Sequence, residues 1–182
     1  MMPDNLVSAD QMPNVATLAE TSFVPDAANA REFRDALGCF ATGVTIVTVQ
    51  SADGPMGFTA NSFASLSMDP PLVLWSPAKS SSRFAHYATA QHYAIHVLAH
   101  NQTDLIQRFI RGGLGFEGMS YHRNDEGVPL LPGTLARFDC EQHATHDGGD
   151  HLIVVGRVVR CAKGTGAPLV FTQGQYGGFT AD

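Results

Sequence analysis

Residues 43–49 read Gly-Val-Thr-Ile-Val-Thr-Val, and a second extended stretch runs from Gly57 to about Ser62 after the turn residues Ala52-Asp53-Gly54-Pro55. β-Branched residues favour strands, whereas Gly, Asp and Pro favour tight turns. The two stretches are therefore predicted to pair as neighbouring strands.

The rest of the chain repeats this alternation of apolar runs and turn residues. Further strands are predicted at Pro71–Trp75, Tyr93–Leu98, Leu135 to about Gln142, His151–Val159 and Pro168–Phe171. About seven short strands with few helices favour a closed or partly closed β-barrel over a parallel sheet. The predicted class is mainly β (α+β), an antiparallel, Greek-key-like split barrel with a few short covering helices.

Three helices are predicted by their spacing. The first begins at Asn29 as its N-cap and runs to about Ala41, with Phe33, Leu37 and Phe40 on one face that covers an end of the sheet. The second begins in the serines at 80–82 and runs through Phe84 and Tyr87, and the third follows Thr103 through Phe109.

The composition narrows the class of protein. A chain of 182 residues with 44% hydrophobic residues is long enough for one core. Residues 1–27 are predicted to be an N-terminal arm and residues 28–182 the domain.

The net charge of −6 argues against nucleic acid as a partner, because binding to a phosphate backbone needs clustered Lys and Arg. Only 15% of the residues are charged, which favours a homodimer.

Three scattered cysteines, Cys39, Cys140 and Cys161, have neither a metal-ligand spacing nor a disulfide framework. They predict a reducing compartment. The start of the chain lacks the pattern of a signal peptide, and no apolar run approaches a membrane span. We therefore expect a cytoplasmic protein without a membrane anchor.

Small and hydroxyl residues crowd together from Gly57 to Ser67. They are either turn residues that satisfy their own backbone or a wall of donors and acceptors for a flat, polar-edged ring.

A second polar stretch, residues 76–84, follows an apolar strand and includes Ser76, Lys79, Ser80, Ser81 and Ser82. Hydroxyls and free amides at a helix start, with a nearby cation, fit an anion such as phosphate. Simple N-capping by one serine is the alternative, but it leaves Lys79 unexplained.

A third stretch, His146 to His151, contains Gly148-Gly149, which predicts a tight hairpin turn. His143, His146 and His151 could bind a metal. We favour a metal-free interpretation, in which His151 faces a ligand at the barrel mouth.

These stretches, in this order from about Phe33 to Tyr176, resemble the flavin reductase-like family of FMN-binding split barrels. The similar pieces include Ala41–Thr45, Thr59–Phe63, Arg108-Phe109, Gly149-Asp150-His151 and Pro168-Leu169. The family includes reductase components of two-component flavin monooxygenases. Its members use FMN or FAD with NADH or NADPH and are typically homodimers.

The resemblance implies roles for particular residues. The isoalloxazine and ribityl chain would be lined by Gly57, Phe58, Thr59, Ala60, Asn61, Ser62 and Ser65. The flavin phosphate would be held by Ser76, Lys79, Ser80, Ser81 and Ser82. The site would be closed by Arg108 and Phe109, and the nicotinamide nucleotide would contact His151 and the segment from Phe171 to Tyr176.

The function that follows is hydride transfer from NAD(P)H to a flavin that is supplied to a partner monooxygenase. No metal and no catalytic acid or base is assigned, because the cofactors bring the redox chemistry. Two alternatives stay open. One is a reductase that retains its flavin and reduces a bulky acceptor such as a corrin cobalt, and the other is a flavin- or haem-binding module without turnover.

Overall fold

The computed structural model describes residues 20–110 and 112–180. Three helices span Ala30–Gly38 (α1), Phe84–Ala88 (α2) and Thr103–Ile110 (α3). The strands are Thr42–Gly43 (β1), Thr45–Ser51 (β2), Gly54–Ala60 (β3), Ala64–Met68 (β4), Pro71–Trp75 (β5), His92–Val97 (β6), His122–Arg123 (β7), Pro129–Leu130 (β8), Ala136–Gly148 (β9), His151–Lys163 (β10), Leu169–Thr172 (β11) and Gln175–Gly178 (β12).

A seven-stranded antiparallel sheet forms most of the molecule, in the order β3-β2-β6-β9-β10-β5-β4. Strands β1, β11 and β12 form a second sheet, and β7 and β8 pair separately. The register of β9 and β10 shifts at Val155/Gly156 and at Val158/Arg160. Such bulges increase the local twist and bend of a strand pair, as the curvature of a barrel requires. The prediction of a mainly antiparallel β-barrel with few short helices is confirmed.

Two apolar clusters fill the interior. One surrounds Trp75, whose ring meets that of Tyr87 edge to face and that of Tyr93 at a tilt. The other joins Ile46 of the large sheet and Leu169 of the small sheet to the buried face of α3. The second cluster therefore fastens the small sheet and α3 to the barrel.

Gly156 permits a close approach inside the first cluster. A Cβ at this position would lie far inside contact distance of the Tyr93 hydroxyl and 3.1 Å from the Cβ of Cys140. The glycine lets β10 pass over the buried Tyr93 ring.

The structure corrects the prediction for α1, which ends at Gly38 rather than near Ala41. Phe33, Leu37 and Phe40 do not cover the sheet, since they are 43%, 60% and 79% exposed. Asn29 occupies the N-cap position, but its side chain bonds the amide of Asp26 and the carbonyl of Val24 instead of a helix amide. Among the described residues, the apolar face of α1 is left open.

Two further predictions concern the N-terminal arm and the lack of a membrane-spanning segment. The predicted N-terminal arm lies outside the described residues as far as position 19, and residues 20–27 belong to no helix or strand. Within the described ranges, every helix is too short or too polar to cross a membrane.

Candidate functional site

The end of β3 is tied directly to the loop that follows β5. The amide of Ser76 donates to the Ser62 hydroxyl at 2.9 Å, and this hydroxyl lies 3.3 Å from the Ser76 carbonyl, to which it donates. The predicted ring wall and the predicted phosphate segment therefore adjoin, although 14 residues separate the two serines.

The segment of residues 76–82, here called the serine loop, is a turn rather than the start of a helix. Ser81 and Phe84 donate to carbonyls three residues earlier, and α2 begins only at Phe84. The predicted helix start in the serines is therefore wrong. Between positions 76 and 82 the amides of Ala78, Ser80 and Ser82 have no acceptor in the described part of the chain. These amides and the exposed hydroxyls can receive an anion without a helix terminus.

The tip of the β9–β10 hairpin is docked on the serine loop. The amide of Lys79 donates to the Asp150 carbonyl at 2.9 Å, and that of Leu152 donates to the Pro77 carbonyl at 3.1 Å. His151 pairs with Ala78, and its Nδ1 lies 2.8 Å from the Asp150 carboxylate. This hydrogen bond to His151 is the main reason why the pKa of Asp150 is lowered. The second and third predicted segments thus meet.

A cavity of about 230 Å³ opens beside the end of β3. Its lining comprises Val44, Thr59, Ala60, Asn61, Arg83, Ile110, Phe171 and Tyr176. Phe171 and Tyr176 are cross-strand partners on β11 and β12, with ring centres 5.0 Å apart. A larger cavity of about 670 Å³ shares Asn61 and Phe171 with the first and extends toward α1. The two cavities therefore adjoin.

Three buried polar atoms of residues lining these cavities have no hydrogen-bond partner within the described residues. They are the hydroxyls of Thr42 and Thr59 and the Nε of Arg83. Buried polar groups are normally paired, so unpaired ones on residues that line a cavity are candidate partners for a ligand with polar edges. The carbonyl and nitrogen edge of an isoalloxazine ring provides such partners, and the residues present fit this group.

Arg83 lines the smaller cavity and was not among the predicted site residues. Its Nη1 donates to the carbonyls of Gly57 at 2.9 Å and Phe109 at 2.8 Å, and its Nη2 donates to that of Ile110 at 3.1 Å. The guanidinium also lies 4.5 Å from the centre of the Phe58 ring. Burial lowers the pKa of Arg83. The only sequence signal was a second cation in the serine-rich stretch.

Other predicted residues lie elsewhere. Phe109 is fully buried in the second core cluster, where it packs on Gly57. Arg108 is exposed and donates to the carbonyls of Gly115 and Glu117. Ser65 is exposed on β4. None of the three is among the described residues that line the two cavities.

Lys79 lies in the serine loop as predicted, but its ammonium is directed to the hairpin. The Nζ donates to the Asp147 carboxylate at 2.9 Å and to the Gly149 carbonyl at 2.6 Å.

Comparisons with known proteins agree with this arrangement. The family model described as Flavin reductase like domain matches residues 37–180. The FMN reductase (NADH) SmoA of Agrobacterium fabrum is 54% identical over 175 residues, which are 96% of this chain and 98% of that protein. The flavin-dependent monooxygenase reductase subunit HsaB of Rhodococcus jostii is 40% identical over 159 residues, covering 86% and 82% of the two chains.

Among solved structures, an NADH:FAD oxidoreductase of Streptomyces globisporus, in complex with NAD and FAD fragments, superposes with a TM-score of 0.81. It is 31% identical, and the match covers 88% of this chain and 99% of that one. These similarities confirm the predicted split-barrel fold and flavin reductase class. The chain belongs to the flavin reductase-like family.

Proposed function

We propose that this chain oxidises NADH and reduces FMN, and that the reduced flavin is used by a separate monooxygenase. The observation that supports a flavin in this site is the set of unpaired buried atoms of Thr42, Thr59 and Arg83 beside adjoining cavities. NADH and FMN are chosen because the relative that is 54% identical over almost the whole chain is named an FMN reductase (NADH).

Two groups of residues would bind the two ends of the flavin. Thr59, Asn61 and Arg83 would bind the edge of the ring. The amides and hydroxyls of the serine loop would bind the phosphate, because unpaired N–H groups and hydroxyls are good phosphate donors.

His151 would orient the nicotinamide from the docked hairpin, and Phe171 and Tyr176 would contact it from the cavity lining. Bound flavin supplies the redox chemistry, so the protein's task is to align the two rings and exclude water. No side chain is needed as an acid or a base.

Use of the reduced flavin by a partner oxygenase is supported by the relatives. They include reductase components of a trigonelline monooxygenase and of the HsaB type. A partner of this kind predicts that the reduced flavin leaves the reductase, and therefore that free flavin acts as a substrate.

A homodimer is part of the proposal. Its support is the open apolar face of Phe33, Leu37 and Phe40, which lies next to the larger cavity lined by Leu37 and Phe40. Sedimentation equilibrium should give twice the chain mass, and Leu37→Glu should shift the equilibrium toward the monomer. A monomeric wild type would contradict the dimer without affecting the activity proposal.

The predicted reducing, cytoplasmic compartment also stays part of the proposal. It is supported by free thiols at Cys39, Cys140 and Cys161. Cys140 is buried and the other two are exposed.

The decisive experiment is an assay of purified protein with each pairing of NADH or NADPH with FMN or FAD, following the loss of reduced nicotinamide. We expect the highest kcat/KM with NADH and FMN and saturation by free flavin. A higher kcat/KM with FAD or NADPH would replace NADH and FMN as the proposed substrates but would keep the reductase activity. Absence of turnover with all four pairs would overturn the reductase proposal.

A further inference from the structure

The ammonium of Lys79 closes a ring of contacts at the tip of the β9–β10 hairpin. It donates to Asp147 and Gly149, which lie 68 and 70 residues further along the chain. The Asp147 carboxylate uses its other oxygen to accept the Gly149 amide at 2.9 Å. The hydrogen bond from Lys79 is also the main reason why the pKa of Asp147 is lowered. Lys79 is therefore bonded to both sides of the turn.

The hairpin tip has little other support. Residues Thr145 to Asp150 are exposed, and β10 first pairs with β5 at Val154. An exposed two-stranded ribbon is marginally stable without contacts to another element. Between Val154 and the tip, the serine loop supplies those contacts through two backbone bonds, the His151–Ala78 pairing and the Lys79 side chain.

His151 lies inside this junction. Its neighbours on either side, Asp150 and Leu152, are bonded to Lys79 and Pro77 of the serine loop. Movement of the tip would therefore move the imidazole and Asp150, which contacts its Nδ1.

We propose that Lys79 is a positioning residue for the nicotinamide site, which holds the hairpin tip and His151 against the serine loop. The inference rests on the proposed function, in which His151 meets the nicotinamide, and it differs from the role predicted for Lys79 as a phosphate ligand. A phosphate ligand would mainly affect flavin affinity, whereas a positioning residue would mainly affect the KM for NADH.

The test compares Lys79→Met, Asp147→Asn and the double variant with Lys79→Arg as the conservative change. Lys163→Met is the matched control, because it removes an exposed lysine at the far end of β10. Three quantities are measured: the KM for NADH, the equilibrium Kd for FMN from fluorescence, and hydrogen exchange of the backbone amides of residues 79 and 152 in protein without nucleotide.

We expect Lys79→Met to raise the KM for NADH at least fivefold and to speed exchange of both amides at least tenfold. The Kd for FMN should stay within twofold. The double variant should match Lys79→Met, because both changes break the same contact. Lys79→Arg should recover most of the NADH affinity, and Lys163→Met should behave as wild type.

A rise in the Kd for FMN, with the KM for NADH and the amide exchange unchanged, would overturn the inference and make Lys79 a phosphate ligand. Additive effects of Lys79→Met and Asp147→Asn would also contradict it. Failure of the wild type to oxidise NADH would instead reject the proposed function. Unchanged amide exchange at residues 79 and 152 in Lys79→Met would show, independently of activity, that the contact between Lys79 and Asp147 does not hold the hairpin tip.

Discussion

The Ser62 hydroxyl both accepts from the Ser76 amide at 2.9 Å and donates to the Ser76 carbonyl at 3.3 Å. One side chain thereby joins the end of β3 to the first residue of the serine loop. The spacing between the proposed ring wall and the proposed phosphate loop depends on this contact.

Ser62→Ala should raise the Kd for FMN several-fold and lower the free energy of unfolding by about 1 kcal/mol, because it removes two hydrogen bonds of a half-buried hydroxyl. Fluorescence titration and urea unfolding measure the two effects. Ser65→Ala is the matched control, since Ser65 is exposed on β4. If Ser65→Ala weakened FMN binding as much as Ser62→Ala, the flavin ring would have to lie close to β4 rather than in the two cavities.

His151→Ala should raise the KM for NADH while the Kd for FMN changes little, because the imidazole lies on the hairpin rather than in the cavity lining. Steady-state kinetics at saturating FMN give the KM. The control is His143→Ala, which removes an exposed imidazole from the same hairpin. An unchanged KM for NADH in His151→Ala would remove this residue from the nicotinamide site.

Arg83→Met should weaken FMN binding at least tenfold and lower the free energy of unfolding by about 2 kcal/mol, because three carbonyls lose a charged donor. Arg108→Met also removes an arginine bonded to carbonyls, but Arg108 is exposed and outside the cavity lining. The Kd for FMN of both variants is measured below their unfolding temperatures. The opposite ranking would restore Arg108 as the ligand-binding arginine.

Gly156→Ala should lower the free energy of unfolding by about 3 kcal/mol, the cost of overpacking a core, because its Cβ would overlap the Tyr93 hydroxyl. Tyr93→Phe removes that hydroxyl, so the double variant should recover part of the loss. Urea unfolding of the wild type, the two single variants and the double variant forms a double-mutant cycle, which measures the coupling between positions 156 and 93. Strictly additive losses would show that another contact, such as Cys140, limits the space.

His96 should make the protein less stable in mild acid. Its Nδ1 donates to the Ile46 carbonyl and its Nε2 accepts the Leu131 amide, both at 3.1 Å, and burial lowers its pKa from 6.5 to about 4. Between these values the unfolded chain binds a proton that the folded protein does not. The free energy of unfolding should therefore fall by about 1.4 kcal/mol for each pH unit from 6.5 down to 4, and this contribution should level off below pH 4.

Unfolding of wild type and His96→Gln between pH 4.5 and 7.5 measures this slope. The variant should be less stable at pH 7 but should lose less stability on acidification, since it lacks the titrating ring. Parallel pH profiles would assign the acid sensitivity to other groups.

Much of the fold was predictable because local patterns decide it. The β-branched run at 45–49 and the helical spacing of α3 act over a few residues and form the expected elements, whereas the turn predicted at 52–55 is shorter, because Gly54 and Pro55 already belong to β3. Asn61, Phe171 and Tyr176 were predicted to line the site, and they do line the cavity. Strand β4 (Ala64–Met68) was missed because it contains no β-branched or aromatic residue, so its pairing with β5 is the stronger determinant.

The sequence by itself determined the antiparallel barrel and the segments with polar side chains suited to a nucleotide, because strand propensity, turn chemistry and motif order are local properties. Only the tertiary structure decided that α1 leaves its apolar face open, that Arg83 lies on the cavity and that Lys79 meets Asp147. These outcomes depend on which distant elements pack together. Contacts between residues 26 or 68 positions apart arise only when the folded sheet brings distant segments of the chain together.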